Sequence, residues 1–367
     1  MSKIISIGTA NPAYRHQQSD ILQFMQMVYA FGETDKRKLK FLYNHSGIET
    51  RYSVVPDYSL ELDKWQFFSK GENLEPTPSV EQRMKWFNRH APGISVKAIR
   101  SAIAEKIDAA EITHLITVSC TGMSAPGLDL LVMDEMDLPR NIYRTSVNFM
   151  GCYAALHALK IANDICRLDN NAKVVVVCTE LCTLHFQRDA GIDNVASALL
   201  FGDGSAAVLI TGDNYPAKGL QLDHFYSEIL SSGKKDMTWE ISSTGFLMTL
   251  SGYIPELIEQ DFQPLVNRAL AGAGLSKNDV SHWCIHPGGK KILEAVGHSL
   301  ELEQEALQNS YSTMREYGNM SSPTILFVLK RIMDQLQTRA EDPPEKQSVF
   351  CAAFGPGLTM ETLVASY

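Results

Sequence analysis

The chain has 367 residues, 45% hydrophobic and 20% charged, an ordinary globular balance with length enough for a large buried core. A formal net charge of −9 argues against an extended nucleic-acid surface. No apolar run approaches the length of a membrane span.

The opening MSKIISIGTA has no apolar core long enough for a secretion signal, and the closing VASY carries no lipidation signal, so the cytoplasm is the expected compartment. Four short runs, KIISIGTA, THLITVSCT, KVVVVCTEL and SAAVLITG, read as strands buried on both faces, the habit of layered α/β proteins. Helical patterns fall at Ser19–Phe31, Ser95–Ile107, Cys152–Arg167, Ile254–Ala271, Lys290–Ser299 and Ser322–Leu336. Gly272 and Gly274 supply a stop for the fourth. Residues from about Tyr52 to Met84 are aromatic, proline-bearing and aperiodic, an excursion from the main body, and Glu341–Gln347 reads as a surface connection.

The chain repeats itself. In the first half VSCTG is followed by NFMGCYAALHAL and LLFGDGSAAVLI; in the second, HWCIHPGG is followed by YGNMSSPTILFVL and CAAFGPGLTMETLV. Cys152 lies 32 residues after Cys120, and Asn319 lies 33 after His286. Each half thus offers a strand, a loop, a glycine followed by a polar residue that opens a helix, and a glycine-rich strand pair. Such duplication implies two similar α/β layers, residues 1–212 and 213–367, divided near Thr211–Pro216. Equivalent loops then converge on a pseudo-twofold axis, where Cys152, His286 and Asn319 would meet.

Seven cysteines, an odd number lying mostly in apolar runs, fit reduced core thiols better than a disulfide framework. Cys178, Cys182 and His185 superficially suggest a metal site, but no second cysteine pair completes it, so no metal is expected. Cys152 differs from the other cysteines. Gly151 suits a sharp turn, and a thiol in the first turn of a helix sees the positive end of the helix dipole, which favours the thiolate.

Five linked motifs then resemble the type III polyketide synthases, the chalcone- and stilbene-synthase-like branch of the thiolase superfamily. They are Cys152 in NFMGCYAA, Phe201 in LLFGDGSAA, His286 in IHPGG, Asn319 in YGNMSSPT, and AAFGPGLTMET, and they run in order along nearly the whole chain. The resemblance implies a five-layered αβαβα fold, a homodimer, and a Cys-His-Asn site that extends an acyl-CoA starter with malonyl-CoA. Both thioesters are substrates, and no cofactor is implied. The residue types suit that chemistry: a thiolate paired with His286 accepts an acyl group, and His286 with the Asn319 amide holds the negative charge of an enolate.

The same resemblance makes Phe201 a gatekeeper and puts Met248 where the family has a second phenylalanine. Cys182 and His185 on one wall, Cys120 and Thr121 on the opposite one, and Ser321 become candidates for the cavity, which bulky Met248 and Trp239 would restrict. Phe354, Gly355, Pro356 and Gly357 form a glycine-rich turn whose amides are placed to hold a tetrahedral oxyanion. Of three basic positions that hold CoA phosphates in the plant enzymes, only Lys38 is kept; the others are Phe41 and His45, which leaves room for an acyl-carrier protein as starter donor. Three rivals share part of the pattern: a single-step ketoacyl-carrier-protein synthase, a papain-like cysteine hydrolase, and a non-catalytic thiolase-fold binding protein.

Overall fold

The computed structural model describes residues 2–29, 31–71, 74–230, 233–339 and 346–367. In the first half β1 (Lys3–Ala10) and β2 (Tyr14–Gln17) precede α1 (Gln18–Val28) and α2 (Glu33–Asn44), followed by β3 (Thr50–Ser53) and α3 (Val80–Ile103). Then come β4 (His114–Ser119), α4 (Leu128–Met136), β5 (Tyr143–Asn148), α5 (Ala154–Leu168), β6 (Lys173–Leu181), α6 (Ile192–Leu200) and β7 (Asp203–Thr211). The second half runs β8 (Leu220–Ile229), β9 (Met237–Ser242), β10 (Gly245–Leu250), α7 (Ile254–Gly272), β11 (His282–Ile285), α8 (Lys290–Leu300) and α9 (Gln308–Tyr317). It closes with α10 (Thr324–Arg339), β12 (Ser348–Gly355) and β13 (Thr359–Ser366).

Nine strands hydrogen-bond in the order β11-β12-β13-β8-β1-β7-β6-β4-β5. The two runs of strands join where β1 meets β8 through only two residue pairs, Lys3 with Gln221 and Ile4 with Leu220. Strand alternation explains the layering. On β6, Val174, Val176 and Cys178 face a central layer that includes α5 and α10, while Val175, Val177 and Leu181 face an outer layer built on α1 and α3. On β12, Val349, Cys351 and Ala353 face the same central layer, and Phe350, Ala352 and Phe354 an outer one built on α7 and α8. The result is the expected five-layered αβαβα stack. Two central helices, α5 and α10, each begin beside the candidate site.

Several boundaries differ from the sequence reading. The helix expected from Ser95 is the second half of α3, which starts at Val80 and carries Pro92 inside it. Ser79 caps it, accepting from the Gln82 amide at 3.3 Å, so the helix begins well before Pro92. The excursion before it is ordered by one buried carboxylate. Asp57 accepts from the amides of Gln66, Phe67 and Phe68 at 2.8–2.9 Å, under a cluster of Phe24, Tyr58, Trp65 and Phe68 rings. Of the surface connection expected over Glu341–Gln347, the part up to 345 lies outside the described residues.

Candidate active site

The nucleophile turn rests on close approach of two glycine-bearing loops. Gly151 has φ +83°, and a Cβ there would sit 2.2 Å from Pro356 Cδ. Gly355 faces the same turn: a Cβ on it would stand 2.5 Å from Tyr153 Cδ1. The expected turn Phe354–Gly357 thus packs directly beneath Cys152 and fixes where the thiol points. Cys152 precedes the first residue of α5 by two positions and is 8% exposed. Its Sγ lies 3.6 Å from Ser321 Oγ and 4.0 Å from Asn319 Oδ1.

Behind that turn lies a polar network that the sequence reading did not single out. Cys120 Sγ accepts from the Gly151 amide at 2.9 Å. Glu180, fully buried on β6, accepts from the Cys120 amide (2.9 Å), Thr121 Oγ1 (2.7 Å) and Ser119 Oγ (3.3 Å) at one oxygen, and from Ser322 Oγ (2.8 Å) at the other. Burial pushes this carboxyl up to about 7, against the lowering effect of those donors. A glutamate at the end of the valine run KVVVVCTEL was the available signal, because a carboxylate in a strand buried on both faces needs a set of donors.

Cys120 and Thr121 were expected on a cavity wall, and the structure corrects this. Their side chains are committed to the Gly151 amide and to Glu180 and the Leu181 amide, so only their carbonyls face the cavity residues. Cys120 O accepts from Trp239 Nε1 at 2.8 Å, and Thr121 O from His185 Nε2 at 2.7 Å. His185 Nδ1 takes the Phe246 amide at 3.0 Å, which leaves the ring neutral with its proton on Nε2; burial lowers its pKa to about 3. The His185 ring stacks on Phe246 at 4.1 Å, with Trp239 edge-on at 5.8 Å. Trp239 and Phe246 come from the hairpin β9–β10, whose strands pair only with each other.

The second half supplies the other two groups. His286 follows β11, its amide held by Ala352 O at 2.9 Å. It is 1% exposed, and neither ring nitrogen has a hydrogen-bond partner among the described residues. Asn319 is fixed on every side. Its amide donates to Leu200 O and its carbonyl accepts from Gly202, both at 2.9 Å, which brackets Phe201. Asn319 Oδ1 accepts from the Ser321 amide (2.8 Å) and Nδ2 donates one hydrogen to Gly288 O (3.2 Å), leaving its second hydrogen for a ligand. Ser321, at φ +59°, belongs with the nucleophile and not with the cavity.

The thiol differs from the expectation of a depressed pKa. Burial pushes Cys152 up to about 11, with Ser321 and Asn319 pulling the other way. Its hydrogen-bond partners are Ser321 and Asn319, not His286, and desolvation alone takes His286 down to about 3. Near pH 7 both groups are therefore neutral.

A cleft is lined by Phe201, Met248, Cys182, His185, Trp239 and Phe246, and further along by α1 and α6. Cys152, His286 and Asn319 are not among its lining residues. Lys38 stands apart on the exposed face of α2, paired with Asp35 at 3.1 Å. Phe41 and His45 stack beside it at 4.0 Å. Among the described residues no group of three or more His, Cys, Asp or Glu is placed to hold a metal, and no helix is long and apolar enough to cross a membrane.

A layered αβαβα body with a cysteine just before one central helix, facing an asparagine just before the other, defines a thiolase-fold condensing enzyme. The family model for chalcone and stilbene synthases, N-terminal domain, matches residues 1–214, and that for the C-terminal domain matches residues 221–366. The chain belongs to this family, the type III polyketide synthases, and is an acyltransferase. It is 30% identical over 366 residues to the alpha-pyrone synthesis polyketide synthase-like Pks18 of Mycobacterium tuberculosis, covering 98% of this chain and 90% of that one. Among solved structures it is similar to PKS-I of the brown alga Ectocarpus siliculosus (TM-score 0.92, 28% identity, 99% and 97% of the two chains). It is also similar to 1,3,6,8-tetrahydroxynaphthalene synthase of Streptomyces coelicolor (TM-score 0.87, 25% identity, 100% and 99%).

Proposed function

We propose that this enzyme loads an acyl-CoA starter on Cys152, extends it iteratively with malonyl-CoA, and closes the chain to a pyrone or phenolic ring. The observation that carries this reading is the contrast within one site. Asn319 is fixed by four hydrogen bonds with one N–H to spare, beside a buried thiol, while His286 keeps both ring nitrogens unpartnered. Free donors in a buried site are what a developing enolate needs.

Loading begins when the Cys152 proton passes to His286 and the sulfur attacks the starter thioester carbonyl; the CoA thiol leaves. Malonyl-CoA then loses carbon dioxide, and the electron pair of the broken C–C bond becomes an enolate. Its oxygen accepts from His286 and from the second hydrogen of Asn319 Nδ2. The enolate carbon attacks the acyl group on Cys152, a C–C bond forms, and the thiolate leaves. Return of the lengthened chain to Cys152 permits another round. The apolar ring of Phe201, whose backbone pairs with Asn319, shields the enolate from water. The name of the mycobacterial relative supports a pyrone as product, and the apolar stretch of cavity along α1 supports an aliphatic starter.

Incubation with malonyl-CoA and a series of acyl-CoAs, with products read by mass, tests the proposal. More than one two-carbon unit per starter is expected. Strictly one malonyl per starter, across all starters, would favour the single-step condensing enzyme. We further propose that the enzyme is a homodimer in the cytoplasm; a monomer by sedimentation at micromolar concentration would contradict the dimer.

A further inference from the structure

Two of the polar atoms buried without a partner, Arg51 Nη2 and Ser197 Oγ, belong to residues that line one and the same cavity, the one containing Phe201 and Met248. Arg51, on β3, is 3% exposed. Its Nε donates to Gln18 Oε1 (3.0 Å), and its Nη1 to the carbonyls of Ala198 (2.8 Å) and Phe201 (2.5 Å). No carboxylate among the described residues stands within ion-pair distance. Asp203 is near enough to act on the guanidinium through its charge, but its oxygens are taken by the amides of Val54 and Thr183 and the Thr183 hydroxyl. The Tyr43 hydroxyl donates to Ala198 O at 3.3 Å and also interacts with the guanidinium, yet Nη2 itself has no hydrogen-bond partner among the described residues. A buried charged donor left unpaired is among the costlier features a fold can keep. An unpaired guanidinium nitrogen and an unpaired hydroxyl at one void indicate a ligand oxygen there.

We propose that Arg51 and Ser197 form an oxygen-binding subsite that takes a carbonyl or carboxylate oxygen carried by the acyl chain beyond its thioester. The assignment rests on the proposed function. The same guanidinium holds the Phe201 carbonyl, and Phe201 is bracketed by the hydrogen bonds of Asn319, so the subsite lies behind the gate residue along a continuous stretch of structure. Ile21, Met25 and Ala198 offer apolar contact for methylenes on the way. Two substrates present such an oxygen: a starter with a carboxylate at its far end, and a growing chain with a ketone at every second carbon.

Matched acyl-CoA pairs separate the two sources. Hexanoyl is compared with adipoyl and octanoyl with suberoyl, following covalent loading of Cys152 by intact mass and malonyl-dependent products by mass spectrometry. If the tail carboxylate is the ligand, the carboxylated partner loads about tenfold faster or more, the scale of one charge-assisted hydrogen bond, and Ser197→Ala erodes that ratio. If chain ketones are the ligand, plain starters load equally in both proteins, and Ser197→Ala shifts products by at least one malonyl unit. Arg51→Lys, with its melting temperature checked, should move the same readout in the same direction. Unchanged loading ratios together with unchanged product masses in Ser197→Ala overturn the subsite. Absence of any malonyl-dependent product from the parent enzyme would instead overturn the proposed function, and the loading ratio would still report on the subsite.

Discussion

The two halves of the chain end equivalent strands in opposite conditions. After β4 the polar atoms of Ser119, Cys120 and Thr121 are tied to Glu180 and to the Gly151 amide. After β11 the His286 ring is as deeply buried and has no hydrogen-bond partner among the described residues. The first half is therefore a support: its network holds the turn that presents Cys152. The second half holds its donors in reserve for a bound substrate. A duplicated framework thus divides labour, one copy giving rigidity to a nucleophile and the other giving unfilled donors to an anion.

The largest effect should come from removing the reserve. His286→Ala is expected to lower both starter loading and malonyl decarboxylation by about 10³-fold, because the ring serves as base and as enolate donor. Retention of either step at the parental rate would break the comparison from the second-half side. From the first-half side, Glu180→Ala leaves several buried donors without an acceptor. It should destabilise the fold by ~3 kcal/mol in urea unfolding. The folded pKa of Glu180 stands above the ordinary 4.5, so its contribution to stability falls as pH rises through the window from 4.5 to about 7. Glu180→Gln should abolish that slope.

Alkylation kinetics sharpen the contrast. With the Cys152 thiol pushed up to about 11, the thiolate is scarce at neutral pH. Iodoacetamide labelling of Cys152 should climb about tenfold per pH unit between about pH 7 and 10. A plateau near neutrality would show an ion pair with His286 already formed. The smallest expected effect concerns the hairpin. Trp239→Phe keeps most of the ring but loses the bond to Cys120 O, and should slow loading only about threefold while leaving product mass unchanged. A larger loss would mean that the hairpin itself helps to hold the nucleophile turn.

Much of this was legible in the sequence because it lies in local pattern. Gly151 before a helical run marks Cys152, and spacings of 32 and 33 residues align the two halves. The layers follow from strands such as VVVV, apolar at every position. What was not legible depends on where side chains turn. Cys120 and Thr121 sit where a cavity wall was expected, yet they turn toward Gly151 and Glu180, a choice made by a carboxylate 60 residues away from Cys120. The thiol pKa moved opposite to the helix-dipole argument because burial outweighs it here. Arg51 gave no signal, since its partners, the carbonyls of Ala198 and Phe201, come from distant sequence.

Acetyl-CoA release and covalent starter loading, followed separately in Cys152→Ala and Asn319→Ala, test the division of labour most directly. Decarboxylation needs enolate donors and no nucleophile; loading needs the thiol. Cys152→Ala should lose loading entirely and still turn malonyl-CoA slowly into acetyl-CoA. Asn319→Ala should load starter on Cys152 and lose decarboxylation by about 10²-fold, the scale of one oxyanion donor. Equal loss of decarboxylation in the two variants, with both folds intact, would contradict the account.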